Sequence, residues 1–149
     1  MKYQSTKTFG NDRGLSCAFR QPKATHSHCS LIHGYSLGFK FVFEANTLDD
    51  KNWVYDFGNT KWIKAYLEEN FDHTIAVDTQ DPAVADFAKL ETVGIAKIVL
   101  MDGVGCEKFA EHVYNHVAPK VTAESEARVK LVSVEVFEHG ANSAICIGD

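Results

Sequence analysis

The stretch "HCSLIHGYSLGFKFVFEA", residues 28–45, changes character halfway along. Its second half alternates Phe39, Phe41 and Phe43 with Lys40, Val42 and Glu44, a period of two that predicts a strand with one face buried in a core. Its first half belongs to a cluster, His26, His28, Cys29 and His33, of residue types that bind zinc or move protons near neutral pH. Their spacing fits no self-contained zinc module. The strand decides the fold, and the cluster raises the question of function.

Outward from this strand, "YQSTKTF" (3–9) and "GLSCAF" (14–19) read as two β-leaning segments joined by the turn formers of "GNDRG", which predicts a hairpin. "WVYDF" (53–57), after the polar turn "NTLDDKN", reads as a further strand paired with 37–45. From Gly58 to Asn70, Trp62, Ile63, Tyr66 and Leu67 draw an apolar stripe down one face of a helix that Asp56 or Asn59 could cap. Phe109, Ala110, Val113, Tyr114 and Val117 repeat that pattern between Cys106 and Val117. "IAKIVLM" (95–101), "RVKLVSVEVFE" (128–138) and "NSAICIG" (142–148) read as three more strands, the last two joined by "HGA". Residues 20–34 and 78–93 are left as long loops. The order predicts an α+β fold, a mainly antiparallel sheet with two helices on one face.

At 149 residues, with no repeat, low-complexity tract or linker, the chain is expected to form one domain, 1–149, able to bury a core without a disulfide or metal staple. A formal charge of −5 and a pI near 5.8, with no run of Lys or Arg, argue against a nucleic-acid backbone or an anionic membrane as partner and favour a small molecule or a protein. No signal-peptide pattern or run of eighteen apolar residues occurs, and the four cysteines lack any C-x-x-C pairing, which together suit a cytoplasmic protein with free thiols.

Five segments in order resemble one family. "CSLIHGYS" (29–36) is similar to a C-x-x-x-H-G-H-N segment, "VYDFGNTK" (54–61) to a D-F-[GA] strand-to-helix motif, and "FDHTIAVD" (71–78) to L-D-H-x-x-L-N. "GCEKFAEHV" (105–113) resembles a P-T-x-E-N-x-A helix start, and "VSVEVFEHGANSA" (132–144) a closing strand with a substrate-anchoring glutamate. These are motifs of the 6-pyruvoyltetrahydropterin and 6-carboxytetrahydropterin synthases. The resemblance implies a tunnelling fold, in which the sheet closes into a barrel only through oligomerisation, as a homohexamer of two stacked trimers with the active site between protomers. It implies a lyase acting on dihydroneopterin triphosphate in pterin or deazaguanine (queuosine) biosynthesis. Cys29 would be the general base, with Asp72 and His73 as its relay. Glu138 would accept two parallel hydrogen bonds from the amidine-like edge of a pterin, and Glu107 matches the glutamate of the helix start, where the helix dipole also favours an acidic residue.

The chain leaves the family pattern at the metal. Family members hold zinc with three histidines; "LSCAFR" puts Phe19 at the first position and "HGY" puts Tyr35 at the third, so that only His33 is retained. A catalytic zinc needs about three protein ligands. Two readings stay open: His26 and His28 join His33 in a displaced site, or Tyr35 and the histidines bond the ligand directly and the protein is a pterin- or purine-binding member without the usual zinc.

Overall fold

The computed structural model describes residues 1–149. Its strands are β1 (Tyr3–Phe9), β2 (Leu15–Phe19), β3 (His33–Ala45), β4 (Thr74–Asp78), β5 (Ile98–Met101), β6 (Val129–His139) and β7 (Asn142–Ile147). The helices are α1 (Lys61–Phe71), α2 (Val84–Thr92) and α3 (Cys106–Glu124). The sheet runs in the order β5-β4-β2-β3-β6-β7, with β1 also on β3.

The thirteen-residue β3 organises the sheet, and its alternation holds: Phe39, Phe41 and Phe43 are wholly buried while Lys40, Val42 and Glu44 are only partly covered. Each such phenylalanine contributes about 2–3 kcal/mol by leaving water. The α1 stripe of Ile63, Leu67 and Phe71 and the α3 stripe of Phe109, Val113, Val117 and Val121 close over this face to form one 27-residue core. The ring of Phe71 bridges the layers, with centroids 5.0 Å from Phe39 and 5.2 Å from Phe109. Helix α3 continues past Val117, through Pro119, because Val121 is still fully buried against the sheet.

Three sequence expectations are corrected. Segments 3–9 and 14–19 do not form a hairpin: β1 pairs with residues 39–45 of β3 and β2 with residues 33–37, so both run in one direction along the same edge of β3. The turn formers of 10–14 make a 3-10 excursion, not a reversal. Asn11, within it, donates to the carbonyls of Ser36 and Phe137 and clips the excursion over β3. It crosses at Gly38, where a Cβ would stand 3.2 Å from the Asn11 backbone nitrogen.

Residues 53–57 form no strand, although Val54 and Tyr55 are buried. Side chains compete for the backbone there: Asp49 Oδ1 accepts from the Lys51 and Trp53 amides, and Asp56 Oδ1 accepts from Gly58. The expected loop 78–93 contains α2, which covers β4 and β5; Val77 and Phe87 are buried outside the main core. Strand β4 lies parallel to both β2 and β5, so the sheet is mixed. The 139–141 connection does join an antiparallel β6–β7 pair.

Candidate functional site

The face of β3 that buries the phenylalanines continues towards its N-terminus as Leu37, Tyr35 and His33, because side chains alternate along a strand. The β2 register sets Leu15 opposite Leu37, Cys17 opposite Tyr35, and Phe19 opposite His33. Beyond the reach of α1, this end of the face is covered only by the start of α3, through Phe109 against Phe19 at 5.2 Å. Here Phe19, His33 and Tyr35 form a triangle of rings, with centroid separations of 5.1, 5.6 and 6.1 Å. His33 Nδ1 lies 2.8 Å from the Leu31 carbonyl, which can only accept, so Nδ1 carries the proton and Nε2 is left as the free ring nitrogen of the neutral imidazole.

The loop carrying His26, His28 and Cys29 is tied to this corner at several points. Ser27 Oγ accepts from the Cys29 amide at 3.2 Å and caps a short 3-10 turn over His28–Ser30, and the Gln21 amide donates to the Cys29 carbonyl. Arg20 makes a bidentate ion pair with Asp81, through Nε at 2.8 Å and Nη2 at 2.6 Å, and gives Nη1 to the Ser30 carbonyl. The Asp81 side chain is 1% exposed, and the guanidinium holds its carboxyl below the usual carboxylate range. Cys29 itself is exposed.

Glu138, near the end of β6, closes the corner from the other side; Asn11 Nδ2 reaches its carbonyl at 3.4 Å. Its carboxylate stands beside the Cys106 thiol at the start of α3. Burial first, then the charges of Glu138 and Glu107, push that thiol up to about 12. Burial, and then the charges of Glu138, Cys29 and Cys106, raise Tyr35 as well. Tyr35 and Cys106 thus both lie within reach of the Glu138 charge. Glu107 is exposed in the first turn of α3. The preceding Gly105, at φ 108°, admits the Gln21 amide where a Cβ would stand 2.6 Å from Nε2; that amide donates to the Val104 carbonyl at 2.7 Å.

Asp72 and His73 lie elsewhere. They are hydrogen-bonded, Nδ1 to Oδ1 at 2.7 Å, with His73 in the left-handed region at φ 56° and its side chain largely exposed. Asp72 borders a cleft with Arg13, Lys64 and Glu68, and His73 one with Ser16, Ala18 and Gly34, the positions of β2 and β3 that alternate away from the ring triangle. His73 thus opens on the sheet face away from the ring triangle, whereas the Asp72 cleft also touches Leu15, on the triangle's own face.

No group of three His, Cys, Asp or Glu side chains is arranged to hold a metal ion. Phe19 has no donor atom, His26 and His28 are exposed in their loop and do not complete a set with His33, and the residues present do not fit a zinc ion. Sequence reasoning missed Cys106, Gln21 and the Arg20–Asp81 pair. An acidic residue 61 positions from its arginine leaves no periodic or motif signal, whereas Cys106 stands in the 105–113 motif, where the pattern marks only the start of a helix stripe.

The chain matches the family model described as 6-pyruvoyl tetrahydropterin synthase over residues 10–149. It is similar to a 6-carboxy-5,6,7,8-tetrahydropterin synthase of Aquifex aeolicus, 25% identical over 97% of both chains, and to one of Rickettsia bellii, 26% identical over 74% of this chain and 78% of the relative. Among solved structures, an uncharacterized protein of Wolinella succinogenes superposes with a TM-score of 0.79 at 20% identity, over 100% of this chain and 99% of the other. The 6-pyruvoyl tetrahydropterin synthase of Plasmodium vivax superposes with a TM-score of 0.76 at 13% identity, with the same coverage. The fold of those structures, the strand carrying the His33–Tyr35 pair and the match across nearly all of the sequence lead to one assignment: the chain belongs to the 6-pyruvoyl tetrahydropterin synthase family.

Proposed function

We propose that the protein is a lyase of the 6-carboxytetrahydropterin synthase kind acting on dihydroneopterin triphosphate. The observation that carries this reading is the family match over residues 10–149, in a chain where Tyr35 on β3 lies near enough to Glu138 and Cys29 to feel their charges. Glu138 accepts the donor edge of the pterin, as an ionised carboxylate can accept two parallel hydrogen bonds. Cys29, exposed and held by the Ser27 cap, takes a proton from the substrate side chain once its thiol is ionised. Glu107, exposed in the first turn of α3, is the second substrate contact of this proposal.

Asp72 and His73 serve as the relay through a second copy of the chain that brings its pair to the Cys29 corner, since His73 opens on the sheet face away from the ring triangle in its own protomer. This supports a homo-oligomer, by family analogy a hexamer of two stacked trimers. A place in queuosine or pterin biosynthesis is part of the same proposal and rests on the family resemblance alone.

Turnover of dihydroneopterin triphosphate, followed as release of triphosphate, tests the reading. Wild type is expected to release it, and Cys29→Ala to fall by about 10²–10⁴. Mixing Cys29→Ala with His73→Ala chains is expected to restore part of the activity through mixed oligomers; no restoration removes the shared site. Replacement of two histidines of the usual triad by Phe19 and Tyr35 favours a second reading, a pterin- or purine-binding protein without turnover, which tight binding without triphosphate release would select.

A further inference from the structure

The ring triangle of Phe19, His33 and Tyr35 has the dimensions of the site it has lost. Three imidazoles sharing one tetrahedral zinc at about 2.1 Å would set their ring centres about 5 Å apart. The observed separations are 5.1, 5.6 and 6.1 Å. The backbone beneath is fixed by the β2–β3 register and by Phe109 packed on Phe19. The scaffold is therefore kept while two of three donors are gone, and the polar atom that replaces them is the Tyr35 hydroxyl. That hydroxyl makes no hydrogen bond within the chain, and its ring is only partly buried. Its ring is held by Phe19, His33 and, at 6.3 Å, His139, so little freedom remains to be lost on binding.

We propose that this chain binds its ligand without a metal ion, and that the Tyr35 hydroxyl donates a hydrogen bond to an oxygen on the ligand's side chain. The claim rests on the pterin reading above for the ligand's class but not for the absence of metal. A tyrosine hydroxyl donates one directional hydrogen bond and carries no positive charge, so it selects an oxygen by position where a cation would select by charge. His33, its Nδ1 spent on Leu31, offers Nε2 as an acceptor beside it.

Two measurements decide it. In the first, wild type and the double variant Phe19→His with Tyr35→His are reconstituted with zinc, desalted and analysed for metal. Wild type is expected to retain well below one equivalent and the double variant about one per chain, because the triangle then holds three imidazoles. Zinc retained near one equivalent by wild type and lost in His33→Ala, or in His26→Ala with His28→Ala, overturns the proposal. So does failure of a folded double variant to take zinc; should the double variant not fold, zinc retention by wild type against His33→Ala decides the question alone. In the second, titration with neopterin is followed by fluorescence in the presence of a chelator. Wild type is expected to bind, and Tyr35→Phe, which keeps the ring packing, to bind about tenfold more weakly; an unchanged affinity removes the role of the hydroxyl. If wild type binds no neopterin, the pterin reading falls, and the zinc measurement still decides the metal question.

Discussion

The two halves of β3 teach different lessons with the same geometry. Residues 39–43 and 33–37 present alternate side chains to the same face, yet Phe39, Phe41 and Phe43 are fully buried while His33 and Tyr35 are half-buried. The difference lies in what covers them. Helices α1 and α3 both close over the first half, whereas the second meets the first turn of α3, the end of β6 and a loop that the Arg20–Asp81 pair helps to hold. Where two helices meet the sheet, hydrophobic burial sets the residue choice; where the cover runs out, the same positions are free to carry chemistry. A line of rings, Phe39, Phe71, Phe109 and Phe19, joins the halves, so that the rigid core is the foundation of the open corner.

The largest effect that would sharpen this contrast is Phe41→Ala, expected to cost about 3–5 kcal/mol in denaturant unfolding, as cavities in a two-sided core do. A cost below that of Tyr35→Phe would break the comparison.

Next is the ion pair that carries the loop. Arg20→Ala leaves the Asp81 carboxylate buried without its partner and is expected to destabilise by about 3 kcal/mol. The sign of its pH dependence follows from the lowered Asp81 value. The pair's contribution is present above the unfolded carboxylate value of about 3.9 and is lost as pH falls through the lower folded value. Unfolding midpoints measured from pH 6 down to pH 2 should fall more steeply in wild type than in Asp81→Asn, and parallel curves would remove the pair from the account.

Smaller still are the corner substitutions. Tyr35→Phe and Cys29→Ala are expected to shift stability by no more than about 0.5 kcal/mol, since neither hydroxyl nor exposed thiol supports the core.

The smallest perturbation is chemical. With iodoacetamide at pH 8, the exposed Cys29 is expected to alkylate in the native protein, and Cys17 and Cys106 only after unfolding. Burial raises both of the latter thiols, Cys106 to about 12. Mass spectrometry of the labelled peptides checks this, and early labelling of Cys106 would mean that the corner opens.

The amino-acid sequence by itself determined the periodic parts. The phenylalanine alternation of β3, the stripes of α1 and α3 and the β6–β7 pair are local patterns, and each lies where its period put it. The replacement of two histidines by Phe19 and Tyr35 was equally legible, because a missing imidazole needs no coordinates. Tertiary structure alone decided the rest. The 10–14 turn became an excursion, since β3 is long enough to pair both flanking strands on one edge. Residues 53–57 lost their strand to aspartate side chains that captured backbone amides. Arg20 met Asp81, and Cys106 met Glu138, across separations that no short-range pattern encodes. Most telling is the placement of His73: it is expected beside Cys29 from the sequence, yet it opens among Ser16, Ala18 and Gly34, which alternation sends to the face opposite His33 and Tyr35.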